Sequence, residues 1–215
     1  MKYTTIIFDL DGTLLNTLAD LAAATNHALA EHKLPKRTTD EVRLFVGNGI
    51  RKLIERAVPA DTTAELQEEV FASFNKYYKQ HCADSTRPYD GVPQLLQQLR
   101  AAGCRTAIVS NKADYGVQAL AKQYFDSQLD AACGERAGIA KKPAPDMLLA
   151  IMQQLNAEPA STIYIGDSDT DIATASNAGV ACIGACWGFR GRAFLEAHGA
   201  KLLAENVGDI WELIK

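Results

Sequence analysis

The chain has 215 residues, 47% hydrophobic and 22% charged, which is enough to bury the core of one domain carrying a smaller insertion. A net charge of −4 argues against nucleic-acid binding, which usually needs a basic surface. No run approaches the ~18 apolar residues of a membrane span, no signal peptide is evident, and the five scattered cysteines fit reduced thiols, so we expect a cytoplasmic protein without membrane contacts.

Short apolar, β-branched runs alternate with helical patterns along most of the chain. The predicted strands cover residues 4–8, 105–109, 129–132, 162–165, 180–183 and 201–203. The helical patterns between and after them cover residues 92–102, 115–124, 146–155, 169–177, 191–198 and 208–214. This alternation predicts an α/β fold, with a Rossmann-like parallel sheet covered by helices on both faces. Such sheets bind ligands at the carboxyl ends of their strands.

One region contains helical patterns without a good strand. Four helices are predicted there, at residues 18–32 with Asn16 or Thr17 as the cap, 39–46, 49–57 and 63–79. We therefore expect a catalytic core formed by residues 1–15 and 85–215, and a four-helix insert, residues 16–84, placed directly after the first strand.

The first strand ends in FDLDGT, which places Asp9 and Asp11 one residue apart. Alternate side chains of an extended segment share a face, so both carboxylates should point into the crevice at the strand end. Two carboxylates so close repel each other unless a cation lies between them. A hard divalent ion with oxygen ligands, with Mg²⁺ as the first choice, satisfies that requirement.

Three other predicted strand ends carry polar groups of complementary chemistry. Ser110 and Asn111 follow the strand at 105–109 and suit phosphoryl oxygens, while Lys142 precedes a proline and suits a fixed counter-charge for phosphate. Asp167 and Asp171 follow the strand at 162–165, about one helical turn apart. Taken singly, each group also fits a structural role, either as a turn or helix cap or as a solvated lysine.

The joint occurrence of D-x-D, S-N, K-P and G-D-x-x-x-D in this order resembles the haloacid dehalogenase-like phosphohydrolases, over the whole chain. The resemblance implies that Asp9 is the nucleophile and that Asp11 is the general acid and base. It also implies that Ser110 and Lys142 bind the transferring phosphoryl group. Mg²⁺ would be held by the Asp9 side chain, the Asp11 carbonyl and Asp167, with Asp171 either ligating the ion or supporting the site.

The predicted insert contains the loop VGNG, followed by an apolar helix that ends in ERA. This stretch is similar to the cap loop of bacterial phosphoglycolate phosphatases. Gly47, Asn48 and Gly49 form a loop that opens this helix, so we expect its free N–H groups to receive a substrate carboxylate. Arg43, Arg51 and Lys52 would add positive charge. A glycine-rich helix connection with solvated basic residues is the alternative.

These features predict an Mg²⁺-dependent phosphatase for a small phosphomonoester, acting through an aspartyl-phosphate, with 2-phosphoglycolate as the leading substrate. A pyrophosphatase, a sugar-phosphate phosphatase and a β-phosphoglucomutase-like enzyme remain alternatives within the superfamily. A receiver-like phosphoacceptor switch is the alternative from another class, although such modules are usually shorter and lack a helical insert. The sequence leaves open whether the protein is a monomer or a homodimer.

Overall fold

The computed structural model describes all residues from Met1 to Lys215, and the chain divides into two compact units. Unit 1 comprises Met1–Leu15 and Pro88–Lys215, and unit 2 comprises Asn16–Arg87. The chain therefore returns to unit 1 three residues later than the sequence suggested. The reason lies in Asp20, whose buried carboxylate accepts hydrogen bonds from the backbone N–H groups of Ser85 and Thr86 within unit 2.

Unit 1 is built on a parallel sheet, as predicted. Its strands are Thr5–Phe8 (β1), Arg105–Ala113 (β4), Ala131–Glu135 (β5), Thr162–Gly166 (β6), Ala181–Ala185 (β7) and Leu202–Ala204 (β8). Two further strands of two residues each, Leu15–Asn16 (β2) and Arg87–Pro88 (β3), form a separate sheet and are too short to leave a pattern in the sequence. The six strands are ordered β5-β4-β1-β6-β7-β8, with every pair parallel. This order places β1 at the centre, where the strand order reverses and α/β sheets bind ligands.

Helices connect the parallel strands of unit 1 and cover the sheet. They are Val92–Ala101 (α5), Asp114–Tyr124 (α6), Asp146–Gln154 (α7), Asp169–Ala178 (α8), Arg192–Ala197 (α9) and Asp209–Ile214 (α10). Each lies within one or two residues of its predicted range at either end. Strands β1 and β6 are buried along their whole length, which explains why they consist almost entirely of apolar or β-branched residues. Ile7 and Val109 of the sheet share one core cluster with Leu148 and Ile151 of α7.

Unit 2 is helical, and its four helices match the predicted insert. They are Leu18–Glu31 (α1), Thr39–Phe45 (α2), Ile50–Ala57 (α3) and Ala64–His81 (α4). A capping box between Thr38 and Glu41 defines the start of α2, and the Thr63 side chain caps α4. Leu29, Phe74 and other apolar side chains form a separate core inside this unit. No helix of either unit has the length and apolar character needed to span a bilayer.

Strand β4 differs from its prediction in a way that affects the site. The sequence suggested that the strand ends at Val109, but it continues to Ala113 with a register shift between Val109 and Ala113. Ser110 and Asn111 therefore lie inside the strand rather than beyond its end. The irregular pairing explains this difference from the prediction, because a bulge changes the direction of side chains while the extended backbone continues.

Candidate active site

Acidic side chains meet at the carboxyl ends of two adjacent central strands. Asp9 directly follows β1 and Asp167 directly follows β6, and these strands pair in parallel with Phe8 opposite Ile165. The Asp9 N–H continues this pairing by donating to the Ile165 carbonyl at 2.8 Å. Asp171 approaches from the first turn of α8, so that carboxylate oxygens of Asp9, Asp167 and Asp171 lie within 4.8 Å of one another. The fold thus brings together three acids that are far apart in sequence.

Lys142 is the cation of this acidic cluster. Its Nζ lies 2.9 Å from Asp9 Oδ1 and 2.7 Å from Asp171 Oδ1, and it donates to the Tyr164 hydroxyl at 2.9 Å. Asn111 fixes the Lys142 backbone from both sides, accepting from its N–H at 2.8 Å and donating to its carbonyl at 3.0 Å. The Asn111 side chain therefore positions Lys142, a role that the sequence did not suggest, and its predicted contact with phosphate stays a prediction.

Burial and mutual repulsion shift the pKa values of these groups. Burial raises the pKa of Asp9 to about 6, in opposition to the attraction of Lys142, and the charge of Asp171 raises it further. Burial, followed by the charges of Asp171 and Asp9, raises the pKa of Asp167 well above its usual range. Burial alone would lower the pKa of Lys142, but the Asp171 and Asp9 carboxylates outweigh it and raise that pKa. The cluster therefore holds more negative charge than its single lysine balances.

Asp171 has a different environment from the other two acids. Its Oδ1 accepts from Lys142 and lies 3.2 Å from the Tyr164 hydroxyl. Its Oδ2 accepts from the Ser168 hydroxyl at 2.6 Å and from the Ser168 N–H at 3.1 Å, forming a capping box at the start of α8. A carboxylate offers about four lone-pair positions, and Lys142, the Ser168 hydroxyl and the Ser168 N–H already donate to Asp171. This arrangement favours a supporting role for Asp171 over direct coordination.

The donor set fits a hard divalent cation. Three buried carboxylates and one lysine leave two negative charges, which a divalent ion would balance. All the ligand atoms on offer are oxygens, as Mg²⁺ prefers. The raised pKa of Asp9 and that of Asp167 have the same origin, because each carboxylate lies in a buried site beside others of like charge.

Glycines and a distant loop enclose Asp167. A Cβ atom on Gly12, whose φ is +89°, would lie only 2.3 Å from Asp167 Oδ2, and one on Gly188 would lie 2.2 Å from Asp167 Cβ. The neighbouring Phe189 N–H donates to Asp167 Oδ2 at 2.6 Å, and the Trp187 indole donates to the Thr13 carbonyl at 3.0 Å. Sequence reasoning did not connect residues 187–189 with Asp167, so it missed this support.

Asp11 lies beside a second lysine. The Nζ of Lys112 is 3.0 Å from Asp11 Oδ1 and 3.3 Å from Asp11 Oδ2, and the Lys112 side chain is only 2% exposed. Ser110, one of the predicted phosphate-binding residues, is buried next to it, and its Oγ accepts from the Lys112 N–H at 3.4 Å. Sequence reasoning did not select Lys112. The available signal was its position directly after the S-N pair. It was overlooked because a lysine beyond a predicted strand end is normally exposed to solvent.

The predicted substrate-selecting residues lie in unit 2 and have partners inside that unit. Asn48 accepts from Arg56 at 2.8 Å, and Gly49 precedes α3 with a φ of +87°. Arg51 pairs with Glu68, and Arg43 lies 3.3 Å from Asp40. These contacts stabilise the loop and the helix surfaces, and the proposed recognition of a substrate carboxylate by these residues stays a prediction.

Known proteins are similar to this chain in sequence and in fold. Residues 6–185 match the family model described as haloacid dehalogenase-like hydrolase. A Haemophilus influenzae (strain 86-028NP) protein named phosphoglycolate phosphatase is 36% identical over 196 residues, covering 87% of this chain and 88% of the relative. A relative of the same name from Aquifex aeolicus (strain VF5) is 32% identical, with 86% and 85% covered.

Solved structures agree with these relatives. A protein from Lactobacillus delbrueckii subsp. bulgaricus ATCC BAA-365 superposes with a TM-score of 0.94 at 34% identity, covering 100% of this chain and 99% of the other. A predicted phosphoglycolate phosphatase from Haemophilus somnus 129PT gives a TM-score of 0.93 at 28% identity, with the same coverage. The family match, the relatives and the gathered acids lead to one conclusion. The chain belongs to the haloacid dehalogenase-like hydrolase family.

Proposed function

We propose that this protein is an Mg²⁺-dependent phosphatase that hydrolyses a small phosphomonoester, with 2-phosphoglycolate as the leading substrate. The observation that carries the proposal is the buried cluster in which Asp9 contacts Lys142 and lies beside Asp167. The name phosphoglycolate phosphatase, carried by relatives 32–36% identical to this chain, supports the choice of substrate.

Asp9 is the nucleophile in this proposal. A carboxylate needs no activating base, and its difficulty is repulsion by the negatively charged phosphate. Lys142 reduces that repulsion, because its Nζ lies 2.9 Å from Asp9 Oδ1 and places a positive charge beside the attacking carboxylate. The bond from phosphorus to the leaving oxygen breaks as the bond to Asp9 forms, and a water molecule later releases phosphate from Asp9. Ser110 assists by binding a phosphoryl oxygen.

Asp11 is the general acid and base. It gives a proton to the leaving oxygen in the first step and takes a proton from the attacking water in the second. Asp11 is not one of the three acids that gather around Lys142. Lys112 provides a separate partner for Asp11.

The Asp9 and Asp167 side chains and the Asp11 carbonyl would hold Mg²⁺, with Asp171 supporting Lys142 and the start of α8. When bound, the ion supplies positive charge that screens the phosphate from the carboxylates. We assign substrate selection to unit 2, through Asn48, Gly49, Arg51 and Arg43. A cytoplasmic location belongs to the same proposal and is supported by five cysteines that are all free of disulfides.

The decisive experiment is a panel of phosphate esters assayed with purified protein and Mg²⁺. The panel contains 2-phosphoglycolate, pyrophosphate, sugar phosphates and nucleotides, with phosphate release as the measurement. We expect the highest kcat/KM for 2-phosphoglycolate and steady turnover, which a phosphoacceptor switch would not give. Asp9→Asn should lower kcat at least about 1,000-fold, because it removes the nucleophile.

Asp61→Asn, a change on an exposed loop of unit 2, is the matched control and should leave kcat unaltered. If another ester had a much higher kcat/KM than 2-phosphoglycolate, the substrate assignment would be wrong, but the protein would still be a phosphatase. Full activity in Asp9→Asn would remove the mechanism itself.

A further inference from the structure

Lys112 is a buried cation that the mechanism above does not require for phosphate binding or for the metal. Its side chain is 2% exposed, and a buried ammonium group is strongly unfavourable unless a negative group faces it. Asp11 provides that group, with one oxygen 3.0 Å and the other 3.3 Å from Nζ. Both carboxylate oxygens of Asp11 are therefore held by a single ammonium group.

The end of β4 and the start of α6 surround the Lys112 side chain. The register shift in β4 lies between Val109 and Ala113, the stretch that contains Lys112. The Asp114 carboxylate fixes the residues that follow by accepting from the Gly134 N–H at 2.8 Å. The Lys112 stem passes Gly116 in the first turn of α6, where a Cβ would lie 3.4 to 3.7 Å from the stem carbons, in ordinary van der Waals contact. The stem is therefore packed against the start of α6.

The two lysines of the site serve different acids. Lys142 contacts Asp9 and Asp171, whereas Lys112 contacts Asp11. Without Lys112, both oxygens of the Asp11 carboxylate would lose the ammonium group that fixes them, and the side chain would be free to change rotamer. Holding Asp11 apart keeps its carboxyl group available to the leaving oxygen.

We propose that Lys112 is a positioning residue that holds the Asp11 carboxyl group in the place where it exchanges a proton with the leaving oxygen. This inference rests on the proposed phosphatase function. It predicts that the loss of Lys112 slows reactions that need proton transfer and spares the attack of Asp9 when the leaving group needs no proton. A lysine that only stabilised the fold would affect both reactions alike.

The test compares two substrates in Lys112→Met, which keeps the length of the side chain and removes its charge. Single-turnover cleavage of 2-phosphoglycolate, whose alkoxide needs a proton, should fall about 100-fold, the lower end of the contribution of general acid catalysis. The burst of p-nitrophenolate from p-nitrophenyl phosphate should stay within about 3-fold of the wild-type rate, since p-nitrophenolate is a good leaving group that needs no proton. Steady-state turnover of p-nitrophenyl phosphate should fall, because Asp11 also activates the attacking water.

Lys141→Met is the matched control, because Lys141 is 39% exposed and pairs with Glu135. It should change neither rate. Equal losses in the two single-turnover reactions of Lys112→Met, or no loss in either, would overturn the positioning role. An inactive wild-type protein on every ester would instead overturn the proposed function, so the two failures are distinguishable.

A second pair of variants tests the proposal even if Lys112→Met is too unstable to assay. Asp11→Asn and Asp11→Asn/Lys112→Met are compared with each other, and in the double variant both buried charges are gone. Because Lys112 acts through Asp11, its removal should change phosphoglycolate cleavage less than about 3-fold in the Asp11→Asn background. A further loss of 10-fold or more in the double variant would contradict the proposal.

Discussion

At the scale of single residues, the most informative side chain is Tyr164, because it joins the sheet to the acidic cluster. It is fully buried in β6, and its hydroxyl accepts from Lys142 at 2.9 Å and donates to the Val109 carbonyl at 2.8 Å. Burial raises the pKa of this phenol well above its usual range, and the charges of Asp171 and Asp9 add to the shift. The hydroxyl therefore stays neutral and acts as a fixed hydrogen-bonding group beneath Lys142.

Tyr164→Phe tests this structural role, because it removes only the hydroxyl. The Val109 carbonyl loses its hydrogen bond and Lys142 loses one of its contacts, so the free energy of unfolding should fall by about 1–3 kcal/mol. Turnover should fall by less than in Lys142→Met, since Lys142 keeps its contacts with Asp9 and Asp171. Urea denaturation and initial rates measure the two effects.

Tyr115→Phe, at a residue that is 46% exposed, is the control and should leave both quantities close to the wild-type values. A Tyr164→Phe protein as inactive as Lys142→Met would show that the hydroxyl has a larger part in the chemistry than positioning.

The sequence was sufficient to find residues that follow strands and insufficient for residues whose place depends on tertiary contacts. Asp9 and Asp167 follow apolar runs, and the shared edge of a parallel sheet makes their meeting predictable. Lys112 was missed because the bulge that extends β4 has no pattern in a single sequence. Gly188 was missed because its approach to Asp167 joins segments about 20 residues apart, and only the folded chain brings them into contact.

At the scale of elements, the loop between β7 and α9 completes the site formed by the ends of β1 and β6. The Trp187 indole and the Phe189 N–H bind the segments that carry Thr13 and Asp167, respectively. Between these two contacts lies Gly188, where a Cβ would be 2.2 Å from Asp167 Cβ and 2.6 Å from the Gly12 carbonyl oxygen. Those neighbours are a strand-end side chain and backbone, so neither can move aside cheaply.

Gly188→Ala should therefore displace Asp167 or the loop itself. We expect kcat to fall at least about 10-fold and the Mg²⁺ concentration for half-maximal activity to rise, because a shift of about 1 Å in a positioned ligand has large effects on rate. A magnesium titration of initial rates measures both quantities.

Gly208→Ala provides the control, because this exposed glycine has an ordinary φ of −64° and a Cβ there would meet the end of the Asn206 side chain, at 3.1 Å. It should leave the magnesium dependence unaltered. A Gly188→Ala protein with the wild-type kcat and the wild-type magnesium dependence would show that this loop does not position Asp167.

At the scale of the whole molecule, the parallel sheet concentrates charge that the rest of unit 1 does not neutralise. Every strand of the sheet ends on the same edge, and the acids after β1 and β6 are buried there with Lys142 as their counter-charge. The stability of the metal-free protein therefore includes an unfavourable electrostatic contribution. A divalent ion bound to the folded state removes this contribution, so metal binding and folding stability are linked.

The raised pKa values of the buried acids determine how the stability of the metal-free protein changes with pH. The pKa of Asp9 is raised from 3.8 to about 6 in the folded protein, mainly by burial, so the folded state keeps a proton that the unfolded chain has already lost. Stability of the metal-free protein should then fall as the pH rises from about 4 to about 6, because the folded state binds more protons than the unfolded state in that window. The raised pKa of Asp167 acts in the same direction.

Mg²⁺ competes with those protons for the same carboxylates, so it should stabilise the protein mainly where they are ionised. We expect a few millimolar Mg²⁺ to raise the Tm by several degrees at about pH 7.5 and by little at about pH 5, measured by calorimetry after dialysis against EDTA. Asp9→Asn supplies the control, because it removes one repelled charge: the metal-free variant should be more stable than the metal-free wild type at about pH 7.5, and its response to Mg²⁺ should be smaller. Equal Mg²⁺-induced shifts at both pH values would mean that the ion binds elsewhere, since binding to the buried acids requires their protons to leave.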